Sequence, residues 1–396
     1  MISRRKFIQS SSIVSLAPMV PQVFASAAAA STPGSDEKIL VVIQLDGGND
    51  GLNTVVPYAD DNYAKARKKL RVPADKVLGI NDELGLHPAM KSAKQLFDDG
   101  LLSIVQGVGY PNPDRSHFRS MRIWQTASFD DDKHDQEGWL GNALDHASFT
   151  GAKDCVYVGR QETPVSLWSR RSNATSIARA QDLELVAPRA AASIGHLPNS
   201  SHTELEQFVS KQVLSAYTSA KEMGNIKTKQ STTAYPRTRL GSQLELIGKL
   251  LKSSSKTRIY YTTQYGFDTH SNQLYDHASL LREYSKSLKA FLDDLKHAGL
   301  SDQVIVMTFS EFGRRVHEND SAGTDHGTAG PVFLAGASVK AGLLGGAPDL
   351  SKLNDGDLAV QYDFRQVYAT ILDQWLGVDA DSILGGKHER LPLLRT

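Results

Sequence analysis

Apolar runs along the chain predict strands that alternate with helices. Lys38 to Leu45, rich in β-branched residues, and Leu101 to Val108 have the continuous apolar pattern of strands buried on both faces of a parallel sheet. Between them, Ala89 to Asp99 carries apolar residues at helical spacing. This strand, helix, strand order predicts an α/β fold with a parallel sheet.

The C-terminal half repeats the alternation. The predicted elements are a helix over Leu240 to Leu251, a strand over Arg258 to Gln264, a helix over Leu274 to His297, strands over Val304 to Phe309 and Pro331 to Ala335, and a closing helix over Asp363 to Leu376. The region from about 150 to 235 has a weaker pattern, with strands expected at Asp154 to Val158 and Thr163 to Leu167 and a helix at Ser201 to Gly224. We interpret that region as an insertion or cap in a single domain spanning residues 28–396.

The N-terminus has the pattern of an export signal. Arg4 and Arg5 precede an uncharged stretch from Ser10 to Ala30, as in twin-arginine signal peptides. A permanent transmembrane anchor needs about 20 strongly apolar residues, and this stretch contains serines, prolines and many alanines. We expect removal of residues 1–27 and a periplasmic or secreted protein that meets the twin-arginine translocase during export. The alternative is a disordered or weakly helical N-terminus that carries no export signal.

The composition is that of an ordinary globular protein and excludes some functions. Lys and Arg, 44 together, balance 44 Asp and Glu, so no overall field attracts nucleic acid. Cys155 is the only cysteine, which excludes an intramolecular disulfide. The sequence also has no haem-attachment motif, so a redox function would have no group to carry electrons.

Carboxylate or imidazole side chains follow four of the predicted strands. Asp325 and His326 precede a fifth predicted strand, Pro331 to Ala335. The loops after the strands of an open α/β sheet converge, so we expect these side chains to meet. Such a cluster would repel itself without a cation. Its mixture of oxygen and imidazole ligands suits Zn²⁺ or Mn²⁺, with Ca²⁺ or Mg²⁺ as further options. The candidates are Asp46, the loop Asp114 to His117, Asp268, His270, Glu311, Asp325 and His326.

Each candidate also has a plain structural explanation. Asp46 could bond backbone N–H groups of its glycine-rich turn, and Asp268 could cap a helix. Glu311 could be a surface residue paired with Arg314 or Arg315, and His326 a loop histidine bonded to backbone. Ser116 or Asp114 could likewise be a helix cap.

Seven short motifs, in order over almost the whole chain, resemble a secreted bacterial family known as domain of unknown function 1501. They are Val42 to Asn53, Arg115 to Phe118, Gly138 to Asn142, Phe267 to His270, Ser310 to Arg314, Gly323 to Gly327 and Asp363 to Arg365. That family is similar in turn to the alkaline phosphatase and sulfatase superfamily. The resemblance implies a three-layer α/β/α sandwich with a mostly parallel sheet and one or two divalent ions at the strand ends.

The resemblance also implies roles. Asp46 and Glu311 match carboxylates that bind a metal near the nucleophile, and His326 matches the late histidine of that metal. Asp268 and His270 match the ligands of the other metal, and Asp325 is a ligand or orients one. Ser116 lies where the superfamily has its nucleophile.

The implied activity is hydrolysis of a small phosphate or sulfate ester. Ser116 would attack from a helix N-terminus, Arg115 or Arg119 would bind the anionic group, and His117 would act as general acid or support a ligand.

The sequence departs from the superfamily at two points. Phe312 stands where the superfamily commonly has a metal-binding histidine, and Ser116 does not lie in the Cys/Ser-x-Pro-x-Arg motif of sulfatases. One metal instead of two, attack by water, or binding without turnover would each explain this. His277 could replace the missing ligand, or it could lie at the edge of the apolar face of the predicted helix Leu274 to His297. The alternative function is therefore a metal-binding, non-catalytic protein of the envelope that binds a ligand or assists assembly.

Replacing both Arg4 and Arg5 by Lys should leave the precursor in the cytoplasm, because the twin-arginine pathway reads that pair. Cell fractionation of the wild type and the double variant measures this. A variant that still reaches the periplasm through the general secretory route would contradict the export prediction.

Overall fold

The structure is a computed structural model that describes residues 38–130, 137–146, 154–178, 233–253 and 257–395. The chain divides into two units, and the sheet and site below belong to the one formed by Glu37–Ser176, Ser231–Gly248 and Lys256–Thr396. The predicted signal peptide and the predicted helix at 201–224 lie outside the described residues. The insertion at about 150–235 stays a prediction, because residues 179–232 also lie outside the described residues.

Strands and helices alternate through the described chain. The strands are β1 Ile39–Asp46, β2 Val55–Val56, β3 Leu78–Gly79, β4 Gly85–Leu86, β5 Leu102–Gly109, β6 Asp154–Val158, β7 Asn173–Ile177, β8 Ile259–Tyr265, β9 Val304–Phe309, β10 Gly330–Ala335, β11 Gly342–Leu344 and β12 Tyr362–Asp363. The α-helices are α1 Gly51–Thr54, α2 Asp61–Ala66, α3 Lys91–Asp98, α4 His117–Thr126, α5 Trp139–Asp145, α6 Arg239–Lys252, α7 Gln273–His297, α8 Phe364–Thr370 and α9 Ala380–Leu384.

Nine of the described strands form one mostly parallel sheet, in the order β11-β5-β10-β9-β1-β8-β6-β7, with β12 paired to β5. β1 runs parallel to β8 and β9, and β8 runs parallel to β6. β10 is antiparallel to both of its neighbours, β9 and β5. β5 therefore points the same way as β9, although β10 lies between them. The mixed α/β class with a large, mostly parallel sheet is confirmed.

Helices cover both faces of this sheet. Successive side chains of a strand point to opposite faces. On β9, Met307 and Phe309 belong to the core that packs on α4, α5 and α8, where Trp124 stacks on Phe309 with ring centroids 5.1 Å apart. Thr308 points to the other face, where its hydroxyl accepts a hydrogen bond of 3.1 Å from Tyr284 of α7.

Most predicted elements are present within a residue or two of their expected ends, and β9 has the predicted bounds. The closing helix is present, but its second half, Ile371–Leu376, is a π-helical turn. The strand expected at Thr163 to Leu167 is wrong: Pro164 precedes a single 3-10 turn, Val165–Leu167. Proline lacks the N–H that a sheet ladder requires. In the described part of the chain, no helix is long and apolar enough to cross a membrane.

Two buried histidines lie beside a buried ion pair. Asp50 and Arg67 are fully buried and joined at 2.6 Å. His277 donates from Nε2 to Asn49 Oδ1 over 2.9 Å, and its ring lies 6.2 Å from that of His87. Burial lowers the pKa of His277 to about 3 and that of His87 to about 4, so both imidazoles are neutral at pH 7.

Acid should therefore destabilise the protein through these two histidines. Their folded pKa values lie below the ordinary 6.5, so the stability they contribute is complete above about pH 6.5 and is lost as pH falls towards 4. We expect each to lower the free energy of unfolding by about 1.4 kcal/mol per pH unit in that window. Denaturant unfolding of metal-free protein across this range measures the slope.

His277→Gln should reduce that slope by the share of one histidine. His317 is exposed, so His317→Gln is the matched control and should leave the slope unchanged. Equal slopes for His277→Gln and the wild type would contradict the assignment.

Candidate metal centre

The predicted site residues lie at one edge of the sheet. β1, β5, β8 and β9 all end at this edge, because they run in the same direction. β10 runs the opposite way and begins there, so the loop before it joins the loops after the other four. The antiparallel strand thus brings His326 to the carboxyl ends of the parallel ones.

Glycine allows the loops after β1 and β8 to touch. Gly47 has φ +118°, and a Cβ atom on it would lie 2.3 Å from the backbone nitrogen of Asp268. Gly48 has φ +78°, and its Cβ would lie 2.3 Å from the ring of Phe312. Both positions require the left-handed conformation and the absence of a side chain. The turn after Asp46 is therefore built for close packing against the site.

Arg314 joins three of the converging loops. Its buried guanidinium donates to Gly48 O over 2.7 Å, to Thr324 O over 2.8 Å and to Asp268 Oδ1 over 2.7 Å. It also donates to the backbone oxygens of Phe267, over 3.0 Å, and Gly47. One planar cation thus satisfies oxygens after β1, after β8 and before β10.

Glu311 is buried beneath the same edge, with a side chain that is 1% exposed. Its Oε1 accepts from the backbone N–H of Gly47 over 2.9 Å and lies 2.8 Å from His117 Nδ1. Its Oε2 accepts from Ser310 Oγ over 3.1 Å. The surface-residue explanation of Glu311 is wrong, and it is Glu311, not Asp46, that binds the glycine turn.

Three imidazoles converge on one carboxylate oxygen. Asp268 Oδ1 lies 3.3 Å from His117 Nε2, 3.1 Å from His270 Nε2 and 3.2 Å from His326 Nε2. The Nε2 atoms of His270 and His326 are 2.9 Å apart. The ligand atoms of His117, Asp268 and His326 all lie within 4.8 Å of one another, so these residues could hold a metal ion.

The other ring nitrogen of each imidazole faces an oxygen. His117 Nδ1 lies 2.8 Å from Glu311 Oε1, and His270 Nδ1 lies 3.2 Å from Asp325 Oδ1. His326 Nδ1 lies 2.7 Å from the carbonyl oxygen of Arg115. Each oxygen accepts a hydrogen bond, so each neutral imidazole carries its proton on Nδ1 and presents the Nε2 lone pair to the cluster.

The donor set fits a divalent cation. His117 Nε2 is buried and has no hydrogen-bond partner, although it points at the cluster. Burial alone would raise the pKa of Asp268, but the hydrogen bond and the charge of Arg314 outweigh it and hold that pKa at about 2. Burial lowers the pKa of His326. An anionic carboxylate facing imidazole lone pairs is the arrangement that a cation stabilises, and oxygens behind the histidines are typical of metal sites.

The remaining predicted residues lie around this cluster. Asp46 is half-buried, its Oδ1 accepts from Gln44 over 2.8 Å, and burial followed by the charge of Glu311 raises its pKa. Ser116 is exposed at the N-cap of α4, and its side chain makes no capping hydrogen bond. Asp268 is not a helix cap, because α7 begins after Asn272.

Two residues have partners other than those predicted. The guanidinium of Arg115 contacts Asp357 and Asp355, with Nε 2.9 Å from Asp357 Oδ2. His277 lies in the buried group with Asn49 and not in the imidazole cluster. Phe312 packs its ring 4.9 Å from that of His117 and 4.8 Å from that of His326. An apolar ring therefore supports two imidazoles where a further histidine was expected.

A match to the family described as protein of unknown function (DUF1501) covers residues 37–392, nearly the whole chain. The chain belongs to the DUF1501 family. A search of curated proteins finds no match for this DUF1501 chain.

Several solved structures also match this DUF1501 chain, at low sequence identity. The C-terminal periplasmic domain of EcEptC from Escherichia coli is 11% identical, with 89% of this chain and 86% of that chain covered and a TM-score of 0.42. The lipoteichoic acid synthase LtaP from Listeria monocytogenes is 10% identical, with 89% and 76% covered and a TM-score of 0.40. A protein in the alkaline phosphatase superfamily from Vibrio parahaemolyticus is 9% identical, with 89% and 69% covered and a TM-score of 0.41.

Arg314→Lys should destabilise the DUF1501 protein by about 3 kcal/mol or more, because an ammonium cannot replace the planar donor and leaves buried oxygens unpaired. Arg315 is half-buried and pairs with Asp355, so Arg315→Lys is the neighbouring control, with an expected loss of about 1 kcal/mol or less. Denaturant unfolding measures both. Equal losses for the two variants would show that Arg314 does not tie the loops together.

Proposed function

We propose that this protein is a metal-dependent hydrolase of small phosphate or sulfate esters. The observation that carries the proposal is the convergence of three imidazole Nε2 atoms on Asp268 Oδ1, each imidazole having an oxygen behind its Nδ1. We assign His117, Asp268, His270 and His326 to a divalent ion, with Zn²⁺ or Mn²⁺ favoured by the imidazoles. This moves His117 from the predicted general acid to a ligand.

A second ion would use the neighbouring carboxylates. Burial and the charge of Glu311 both raise the pKa of Asp46, as expected where two carboxylates share a site. Asp46 and Glu311 remain the proposed ligands there, and Asp325 orients His270 from behind.

Entry to the proposed site is open from solvent. The side chains of Asp268 and His270 are 49% and 45% exposed. When bound, the ion would neutralise charge on the ester group and lower the pKa of a hydroxyl beside it. The residues buried beneath the cluster, Glu311 and Arg314, hold the ligands in place.

Ser116 is the proposed nucleophile. It precedes His117 at the N-terminus of α4, where backbone N–H groups favour an anion. Its hydroxyl is exposed and is not used as a cap, whereas Asp114 Oδ1 accepts from the Ser116 N–H over 2.7 Å. Ser116 Oγ would attack phosphorus or sulfur and release the alcohol, and water would then hydrolyse the ester on the serine.

A non-catalytic metal protein of the envelope is the second candidate, and the arginines favour it. Arg115 is held by two aspartates, Arg119 donates to Phe129 O over 2.7 Å, and Arg314 is buried in backbone contacts. Hydrolysis of an anionic ester usually needs a cationic side chain for the developing charge. In this candidate function the cluster binds a ligand without turnover.

The remaining proposals concern place and partners. The predicted twin-arginine signal favours a periplasmic or secreted protein, and the balanced charge argues against nucleic acid as a partner. The partner is then a small anionic ester or another envelope ligand.

Elemental analysis and a screen of aryl phosphates and sulfates test the proposal on the mature protein. We expect at least one equivalent of metal, and chelator should lower stability by about 4 kcal/mol if metal is normally present at a thousandfold its Kd. His326→Ala should lose one metal equivalent and turnover. Ser116→Ala should keep the metal and lose several powers of ten in rate, with stability almost unchanged.

His317→Ala is the matched control, because His317 is an exposed histidine on the same loop, and it should change neither metal content nor rate. Protein without stoichiometric metal, and with the same melting temperature in chelator, would refute the metal assignment. A metal-loaded wild type inert on every ester would favour the non-catalytic function. An equally active but less stable Ser116→Ala would make Ser116 a cap and water the nucleophile.

A further inference from the structure

Gln273, the first residue of α7, lies between the two loops that carry the proposed ligands. The residue is 0% exposed. The hydrogen bonds of its side chain go to Thr269, Asp50 and Thr324, and none of them goes to an imidazole. Its Oε1 accepts from Thr269 Oγ1 over 3.1 Å and from Thr324 Oγ1 over 2.6 Å. Thr269 directly precedes His270, and Thr324 precedes Asp325 and His326.

The other end of the amide is fixed by the buried ion pair. Gln273 Nε2 donates to Asp50 Oδ2, the oxygen that also accepts from Arg67 Nη1 over 2.6 Å. Arg67 in turn donates to Val316 O over 2.6 Å and to Arg315 O over 2.8 Å. A carboxylate can only accept and the two threonine hydroxyls here donate, so the amide has a single orientation that satisfies all partners.

We propose that Gln273 is a positioning residue, which sets the distance between the Asp268–His270 loop and the His326 loop and so the affinity of the cluster for a cation. The inference rests on the proposed metal-binding function. Backbone contacts support it from both sides: Thr324 N–H donates to Thr269 O over 3.1 Å, and Gln273 N–H donates to Ala322 O over 3.0 Å. The side chain holds the two loops to the same buried carboxylate, which the backbone bonds alone do not do.

The shape and chemistry of glutamine are both required at this position. Methionine has nearly the same length but no donor and only a weak sulfur acceptor, and glutamate would place a second carboxylate against Asp50. Asparagine is shorter by one methylene. The threonines need an acceptor, and Asp50 needs a donor.

Gln273→Met should weaken the binding of Zn²⁺ by about 10- to 100-fold, the usual effect of losing a residue behind the ligands. Competition between the full mature protein and a zinc chelator measures the Kd. Thr324→Val removes one of the three hydrogen bonds, should weaken binding in the same direction, and serves if Gln273→Met is too unstable to purify. Both substitutions break the same connection between Gln273 and Thr324. The double variant should therefore bind Zn²⁺ no more than about threefold more weakly than Gln273→Met.

Tyr284→Phe is the matched control. It removes a buried hydrogen bond of 3.1 Å to Thr308 from the same helix, with no connection to the ligand loops. It should lower stability without changing the Kd for Zn²⁺. A Kd for Gln273→Met within threefold of the wild type, additive losses in the double variant, or an equal loss in Tyr284→Phe would each overturn the inference.

Amide hydrogen exchange of the metal-free protein separates this inference from the proposed function. Gln273→Met should speed exchange at Gly323 and Thr324, and Tyr284→Phe should not. A wild type that takes up no zinc refutes the proposed metal site, and exchange then decides the role of Gln273 alone. Unchanged exchange at both amides in Gln273→Met refutes the positioning role, whether or not zinc binds.

Discussion

A single buried guanidinium organises the edge of the sheet where the candidate site lies. Arg314 donates to four backbone oxygens and to Asp268, and those oxygens belong to three separate loops. Loops at the ends of strands leave carbonyl groups without ladder partners, and burying such groups unpaired costs free energy. The cation satisfies them together, so the loops are held in one arrangement before any ligand binds.

The imidazoles depend on that arrangement. Each needs an acceptor behind Nδ1, and the three acceptors come from different parts of the chain: Glu311 after β9, Asp325 before β10 and the Arg115 carbonyl before α4. Displacing any one loop would free a ring to rotate. The buried group of Asp50, Arg67 and Gln273 supports the same loops from below. Two connected layers of hydrogen bonds thus fix the direction of three lone pairs.

Six of the nine strands in the large sheet, and the types of residue at their ends, could be predicted from the sequence. β9 was found with its observed bounds because its apolar run is flanked by polar residues on both sides. The direction of β10 was not predictable, since the same apolar run fits a parallel or an antiparallel neighbour. Thr163 to Leu167 has the pattern of a short strand, but Pro164 lacks the N–H that a sheet ladder requires.

The supporting residues were harder to find. The sequence predicts Arg314 only as a surface partner of Glu311, since a charge in a loop carries no sign of burial. The role of Gln273 could not be predicted, because a polar residue at the start of a helix is ordinarily solvated. A pattern shows which residues recur in one element, but several partners of these two are about 50 to more than 200 residues away in the chain.

The antiparallel β10 has a consequence for how the chain folds. It fills the place between β5 and β9, so the sheet stays in two pieces until residues 330–335 insert. His326 and the Arg115 carbonyl, which meet over 2.7 Å, are 211 residues apart in the chain. Contacts between residues so far apart in the sequence slow the folding of a domain. A nascent chain that ends before β10 therefore lacks the strand that joins β5 to β9, and the loop that carries His326 is not anchored at its C-terminal end.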